Sequence, residues 1–215
     1  MATKSDAARS ATDALPDFIT TSLLGMQLSI FLVAAMSAVA GASDFGNGTI
    51  RVVFAAAPRR TPVLAAKLTV VAGAATVLVG ATLLVTAVAS WLALTPGPLW
   101  TPFTNSTSLL SLAGAVVATA AVSVSAVSLG CLLRSSAGAI FAILGLLIVV
   151  TIVLMAIPTQ VLPSAFSDYS FGGAVTILLG TADNTGKWVG AVLALLVWSA
   201  VFTAWAAASM RRRDA

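Results

Sequence analysis

Apolar residues run along this chain in long unbroken blocks. Five blocks, Ile19–Ala42, Leu68–Leu94, Leu109–Leu133, Ala137–Ile157 and Trp188–Met210, reach or exceed the ~20 residues that a helix rising about 1.5 Å per residue needs to cross a membrane. Lipid offers the backbone no hydrogen-bond partners, and a helix satisfies its own. A transmembrane barrel would instead need segments of about 10 residues with alternating polarity, whereas these blocks are continuous Ala, Val and Leu. The pattern predicts an all-α fold, a polytopic transmembrane helix bundle of five spans forming a single membrane domain over residues 1–215.

Composition agrees with the pattern and removes several chemistries. The chain is 59% hydrophobic and 8% charged, with a mean hydropathy of +1.05, against about 25% charged in soluble domains. It contains no histidine, no glutamate and one cysteine, so metal clusters, disulfide frameworks and Cys/His nucleophile pairs lack their raw materials. No catalytic, cofactor-binding or metal site is expected. Cys131, in "SLGCLLR", reads as a small buried hydrophobe.

Charge then orients the spans. One set of connections holds Arg51, Arg59, Arg60, Lys67, Arg134, Arg211, Arg212 and Arg213 with Asp44 and Asp214, a net of +6. The other holds Lys4, Arg9 and Lys187 with five aspartates, a net of −2. Lys and Arg collect on the cytoplasmic side, which predicts an outer N-terminal segment 1–18, a cytoplasmic loop 43–67, an outer loop 158–187 and a cytoplasmic tail 211–215. "AVAGA" at the end of the first block resembles a signal cleavage site. A signal peptide should have a positive leader and an apolar core of about 7 to 15 residues, whereas Met1–Phe18 carries three aspartates against Lys4 and Arg9. The block therefore reads as a span.

The connections carry further structure. "LTPGPLWTPFTNSTS" is an uncharged turn region with Trp100 suited to the interface. "RSS" at Arg134–Ser136 is so short that the flanking spans must form an antiparallel hairpin. The apolar "AVTILLG" within 158–187 is expected on, or dipping into, the outer membrane surface rather than spanning it. Within the spans, Gln27 is the most polar residue and reads as helix glue. The third span, rich in Ala, Ser and Gly at small-xxx-small spacing, reads as a packing helix. The spans hold no ionisable residue at depth, unlike ion-coupled transporters.

The loop 43–67 is the informative interruption. Asn47 can cap a short helix, with Ile50, Val53, Phe54 and Ala57 on one face. Pro58 stops it, and Thr61–Pro62 marks a second helix start, so the second membrane helix begins before the lipid does. On these grounds alone, an amphipathic helix held on anionic lipids by Arg59, Arg60 and Lys67 and a docking surface for a cytoplasmic partner are equally good readings.

The sequence Asp44, Gly48-Thr49-Ile50-Arg51, Pro58-Arg59-Arg60 and Ala66-Lys67 resembles the cytoplasmic loop of bacterial ATP-binding-cassette (ABC) transporter permeases of the type-2 exporter class. Asp44 stands where that family usually has glutamate. The likeness continues in "LLRSSAGAIFAILGLLIVV" and "VLPSAFSDYSFGGAVTILLG". The family has six spans with both ends cytoplasmic, and by this resemblance the five spans read here would match its last five.

The resemblance implies the permease subunit of an ATP-driven exporter in the plasma membrane of a bacterium, pairing with a second permease subunit and with a separate ABC-type ATPase, and not with nucleic acid. The chain lacks a phosphate-binding Gly-rich loop ending in Lys-Ser/Thr, so ATP and Mg would be bound by the ATPase. The implied coupling residues are Asp44, Gly48, Thr49, Ile50, Arg51, Val53, Phe54, Pro58, Arg59 and Arg60, and an apolar interior suits a hydrophobic or amphipathic substrate. The alternative is a non-transporting membrane anchor or scaffold for a cytoplasmic partner.

Overall fold

The computed structural model describes residues 25–43, 45, 60–93, 106–180 and 185–212. Among them there is no strand. Five helices are long and apolar enough to cross a membrane: α1 Gly25–Ser43, α2 across Arg60–Ala93, α3 across Ser106–Leu133, α4 Ser136–Ala156, and α7 across Thr185–Arg212. Two short helices, α5 Ser164–Asp168 and α6 Phe171–Leu179, lie between α4 and α7. The polytopic all-α bundle read from the blocks is the fold observed.

Helix ends differ from the expected ones where local chemistry extends them. α2 already includes Arg60, so Thr61 is not its cap, and Pro62 sits in the first turn, where no backbone N–H is needed. α7 begins at Thr185 and continues through Arg212, past both ends of its apolar block. The α3–α4 hairpin turns on Arg134, whose φ of 52° is left-handed. Such a residue is the usual way to end a helix sharply, and Ser135 then caps α4 by accepting from Gly138 N at 3.3 Å.

Helix α3 is the hub. Of its most apolar window 67% is buried, against 11% for α2 and 22% for α4. Ala115, Ala118, Val122, Ala126 and Val127 are buried along it, and these small side chains let neighbouring backbones come close. At one end α1 lies directly on it. A Cβ on Gly130 would strike the Ala38 carbonyl, and one on Gly41 would strike Val127 O. α7 runs beside α3 in parallel, joined by Ser125 Oγ to Ser199 Oγ and Ser128 Oγ to Thr203 Oγ1, both 3.2 Å. Ser199 also donates to the Ala121 carbonyl at 3.2 Å.

This hydroxyl seam gives a first prediction. Interhelical hydroxyl bonds in membranes contribute about 0.6 kcal/mol on average, because the hydroxyls on α3 are already satisfied by their own helix: Ser125 bonds Ala121 O and Ser128 bonds Val124 O, each at 2.8 Å. A Ser125→Ala, Ser199→Ala double-mutant cycle is expected to show coupling of about 0.5 kcal/mol in reversible unfolding from lipid. Coupling above about 2 kcal/mol would mean that the pair does more than join two helices.

Helix α6 is packed into the bundle. Every one of its residues except Thr176 is buried. Its first turn sits level with the middle of the bundle: Gly172 lies against the Leu147 carbonyl and Thr151 on α4, while Phe171 meets Trp198 and Phe202 on α7. Its last turn reaches the N-terminal part of α3, where Leu178 O lies on Gly114 and Ser111 donates to Gly180 O at 3.1 Å. The segment dips in as a re-entrant helix, one of the two placements that its apolar composition allowed. α4 makes room through a π-helical turn at Gly145–Val149, a local widening that redirects side chains.

Candidate functional site

The predicted coupling residues Asp44, Gly48, Thr49, Ile50, Arg51, Val53, Phe54, Pro58 and Arg59 lie outside the described residues, as does the short helix expected there. Arg60 is the first residue of α2. What the structure does describe is how the two ends of the α1–α2 connection are fastened.

Both ends are held to the C-terminal end of α3. Leu64 and Leu68 of α2 are buried with Val127 and Cys131 of α3 and Ala206 of α7, and Phe45 and Met210 pack at the edge of the same cluster. The Gly41 carbonyl, near the end of α1, accepts from Lys67 Nζ and from Cys131 Sγ, each at 3.5 Å. Carbonyls in the last turn of a helix have no partner within it, and a lysine from the adjacent helix suits that negative end of the dipole. The Arg134 guanidinium stands 4.9 Å from the centre of the Phe45 ring, a cation–π distance.

These contacts bring Lys67 and Arg134 to one end of the bundle, together with the first residue of α2 and the C-terminal turn of α7, which carries Arg211 and Arg212. At the opposite end Lys187 of α7 pairs with Asp168 of α5 at 2.7 Å. Among the described residues, Lys67 and Arg134 thus stand at the end of the bundle opposite to Lys187 and Asp168. Cys131 is buried, as its apolar setting suggested. Its bond to Gly41 and the cation–π contact at Phe45 escaped sequence reasoning, since neither has a local spacing signature. The short "RSS" hairpin was the signal that something must reverse the chain at Arg134.

Among the described residues no group of three or more potential metal ligands occurs. Among the described residues, the basic end offers the cations Lys67 and Arg134 beside a small apolar cluster. No family model, curated protein or solved structure matches this chain.

Proposed function

We propose that this chain is the permease subunit of an ATP-driven ABC exporter, working beside a second permease subunit and a separate ATPase that binds ATP and Mg. In this reading the basic end faces the cytoplasm of a bacterium and the chain begins outside its plasma membrane. The observation that carries it is the segment Gly48-Thr49-Ile50-Arg51 to Pro58-Arg59-Arg60, placed between two helix ends that are both tied to α3. A connection fastened at both ends passes a push into the bundle, whereas a loosely tethered one absorbs it.

Ile50, Val53 and Phe54 would make the apolar contact with the ATPase, and Arg51 a charged one. Pro58 with Arg59 and Arg60 would form the elbow leading into α2, and Asp44, Gly48 and Thr49 the entry to the loop helix. The uncharged interior supports a hydrophobic or amphipathic substrate and an external source of energy.

Phe54→Asp tests the reading. Truncating or reversing a central aromatic anchor costs about 2 kcal/mol or more of binding, so capture of a co-expressed ABC-type ATPase from detergent extracts is expected to fall at least about tenfold. Membrane insertion should be unchanged. Undiminished capture by the variant would remove the docking role. Capture by wild type without any stimulation of ATP hydrolysis would turn the reading to an anchor or scaffold.

A further inference from the structure

Among the described residues, two buried side-chain polar atoms lack a hydrogen-bond partner: Thr151 Oγ1 and Trp188 Nε1. They bracket α6. Thr151, 7% exposed, lies against Gly172 in the first turn of α6. A threonine within a helix ordinarily donates to the carbonyl four residues earlier, as Thr119 does to Ala115 O at 2.8 Å. For Thr151 that acceptor is Leu147 O, which belongs to the π-helical turn and lies on Gly172. Trp188 Nε1 sits at the other end, beside Gly114 where the Leu178 carbonyl crosses α3.

Buried polar groups are nearly always satisfied, and one left without a partner costs its full desolvation. That penalty is not spread over the bundle: both instances lie on the seat of one nine-residue helix. The seat is otherwise tight, since Gly172 of α6 lies on the Leu147 carbonyl of α4 at one end and the Leu178 carbonyl lies on Gly114 of α3 at the other. Release of α6 from this seat would uncover both groups. What opposes release is at the Lys187 end of the segment. Asp168, one residue beyond Ser167 in the last turn of α5, binds Lys187 Nζ at 2.7 Å. Trp198 Nε1 donates to Tyr169 O at 3.4 Å, and the Tyr169 ring rests on Gly190, where a Cβ would come 2.7 Å from Cε1.

We propose that α6 is a two-position element, strapped by the Asp168–Lys187 pair into a seat that leaves Thr151 and Trp188 unsatisfied. The seated position is the one described here; in the other, α6 is released from the α3, α4 and α7 surfaces that hold it and both groups gain partners. The device is local to α4, α6 and α7 and needs no other chain to exist.

Hydrogen exchange of the full-length protein in lipid nanodiscs tests it, read on the peptide covering Phe171–Leu179 and compared with Ala118–Val127 of α3. Wild-type α6 is expected to exchange faster than that α3 stretch, although both are buried. Thr151→Val keeps the shape and removes the orphan hydroxyl, so exchange of α6 should slow about fivefold or more. Trp188→Phe supplies the same comparison at the other end should the first variant disturb α4. Lys187→Gln should speed α6 exchange about two- to fivefold, 0.5 M salt should act in the same direction, and the exchanged pair Asp168→Lys with Lys187→Asp should restore it. Exchange of α6 as slow as that of α3 in wild type, or unchanged rates in both orphan-removing variants, overturns the proposal.

Discussion

Gly130→Val is expected to unseat α1 from α3 and to cost about 3 kcal/mol or more, the upper range for overpacking a well-fitted contact. In a chain of this size that lowers the melting temperature by roughly 10 °C, measured on purified protein in nanodiscs. The reason is the nature of the neighbour. A Cβ at residue 130 meets the Ala38 carbonyl and the backbone at Gly41 and Ala42, and backbone inside a helix cannot swing aside as a side chain can. The same substitution at Gly73 on α2 has nothing within 4 Å and is expected to change stability by less than about 0.5 kcal/mol. Equal losses at the two positions would mean that helix propensity, and not the α1–α3 contact, sets the effect. Gly41, one of these contact points, also accepts from Cys131 and Lys67, so the contact that stabilises the bundle also anchors the α1–α2 connection.

Phe171→Ala is expected to cost about 3–5 kcal/mol, the range for emptying a buried aromatic site. Phe171 is 1% exposed and holds together two rings of α7. Its ring stands 6.4 Å from Trp198 and 6.1 Å from Phe202, both edge-on at 78°. Those two rings stack 5.6 Å apart. Such pairs contribute about 0.5–1.5 kcal/mol each beyond simple contact. Phe171→Leu keeps most of the volume and should lose less than about 2 kcal/mol. The check is reversible unfolding with tryptophan fluorescence, which also reports release of Trp198. A loss of under about 1 kcal/mol for the alanine variant would show that α6 is not seated against α7 as described.

The spans were legible because lipid imposes a simple rule: length and apolar continuity suffice, and neither depends on what packs against what. The hairpin at Arg134–Ser136 was legible for a similar reason, since three residues leave the chain no other route. The boundaries were less so. Arg60 and Thr185 lie in helices that extend beyond their apolar blocks, where the backbone ladder continues into polar sequence without any hydrophobic signal. The motif expected between Asp44 and Arg60 lies, but for Arg60, outside the described residues, while the ties at its two ends, Lys67 and Cys131 on Gly41 O and Arg134 on Phe45, join residues 26 to 90 positions apart and leave no local pattern.

By itself, the sequence determined that this is an all-helical chain with five helices long and apolar enough to cross a membrane, and that its basic residues gather at alternate connections. These follow from solvent and backbone requirements that each segment meets alone. Only the tertiary structure decided that α3 is the central helix and that "FGGAVTILL" inserts among α3, α4 and α7 instead of lying on the surface. A nine-residue apolar helix can be satisfied in either place. What selects the interior is the pair of glycines on α3 and α6 that admit close backbone contact, the π-helical turn in α4 that widens its seat, and two tryptophans and a phenylalanine on α7, all contributed by partners distant along the chain.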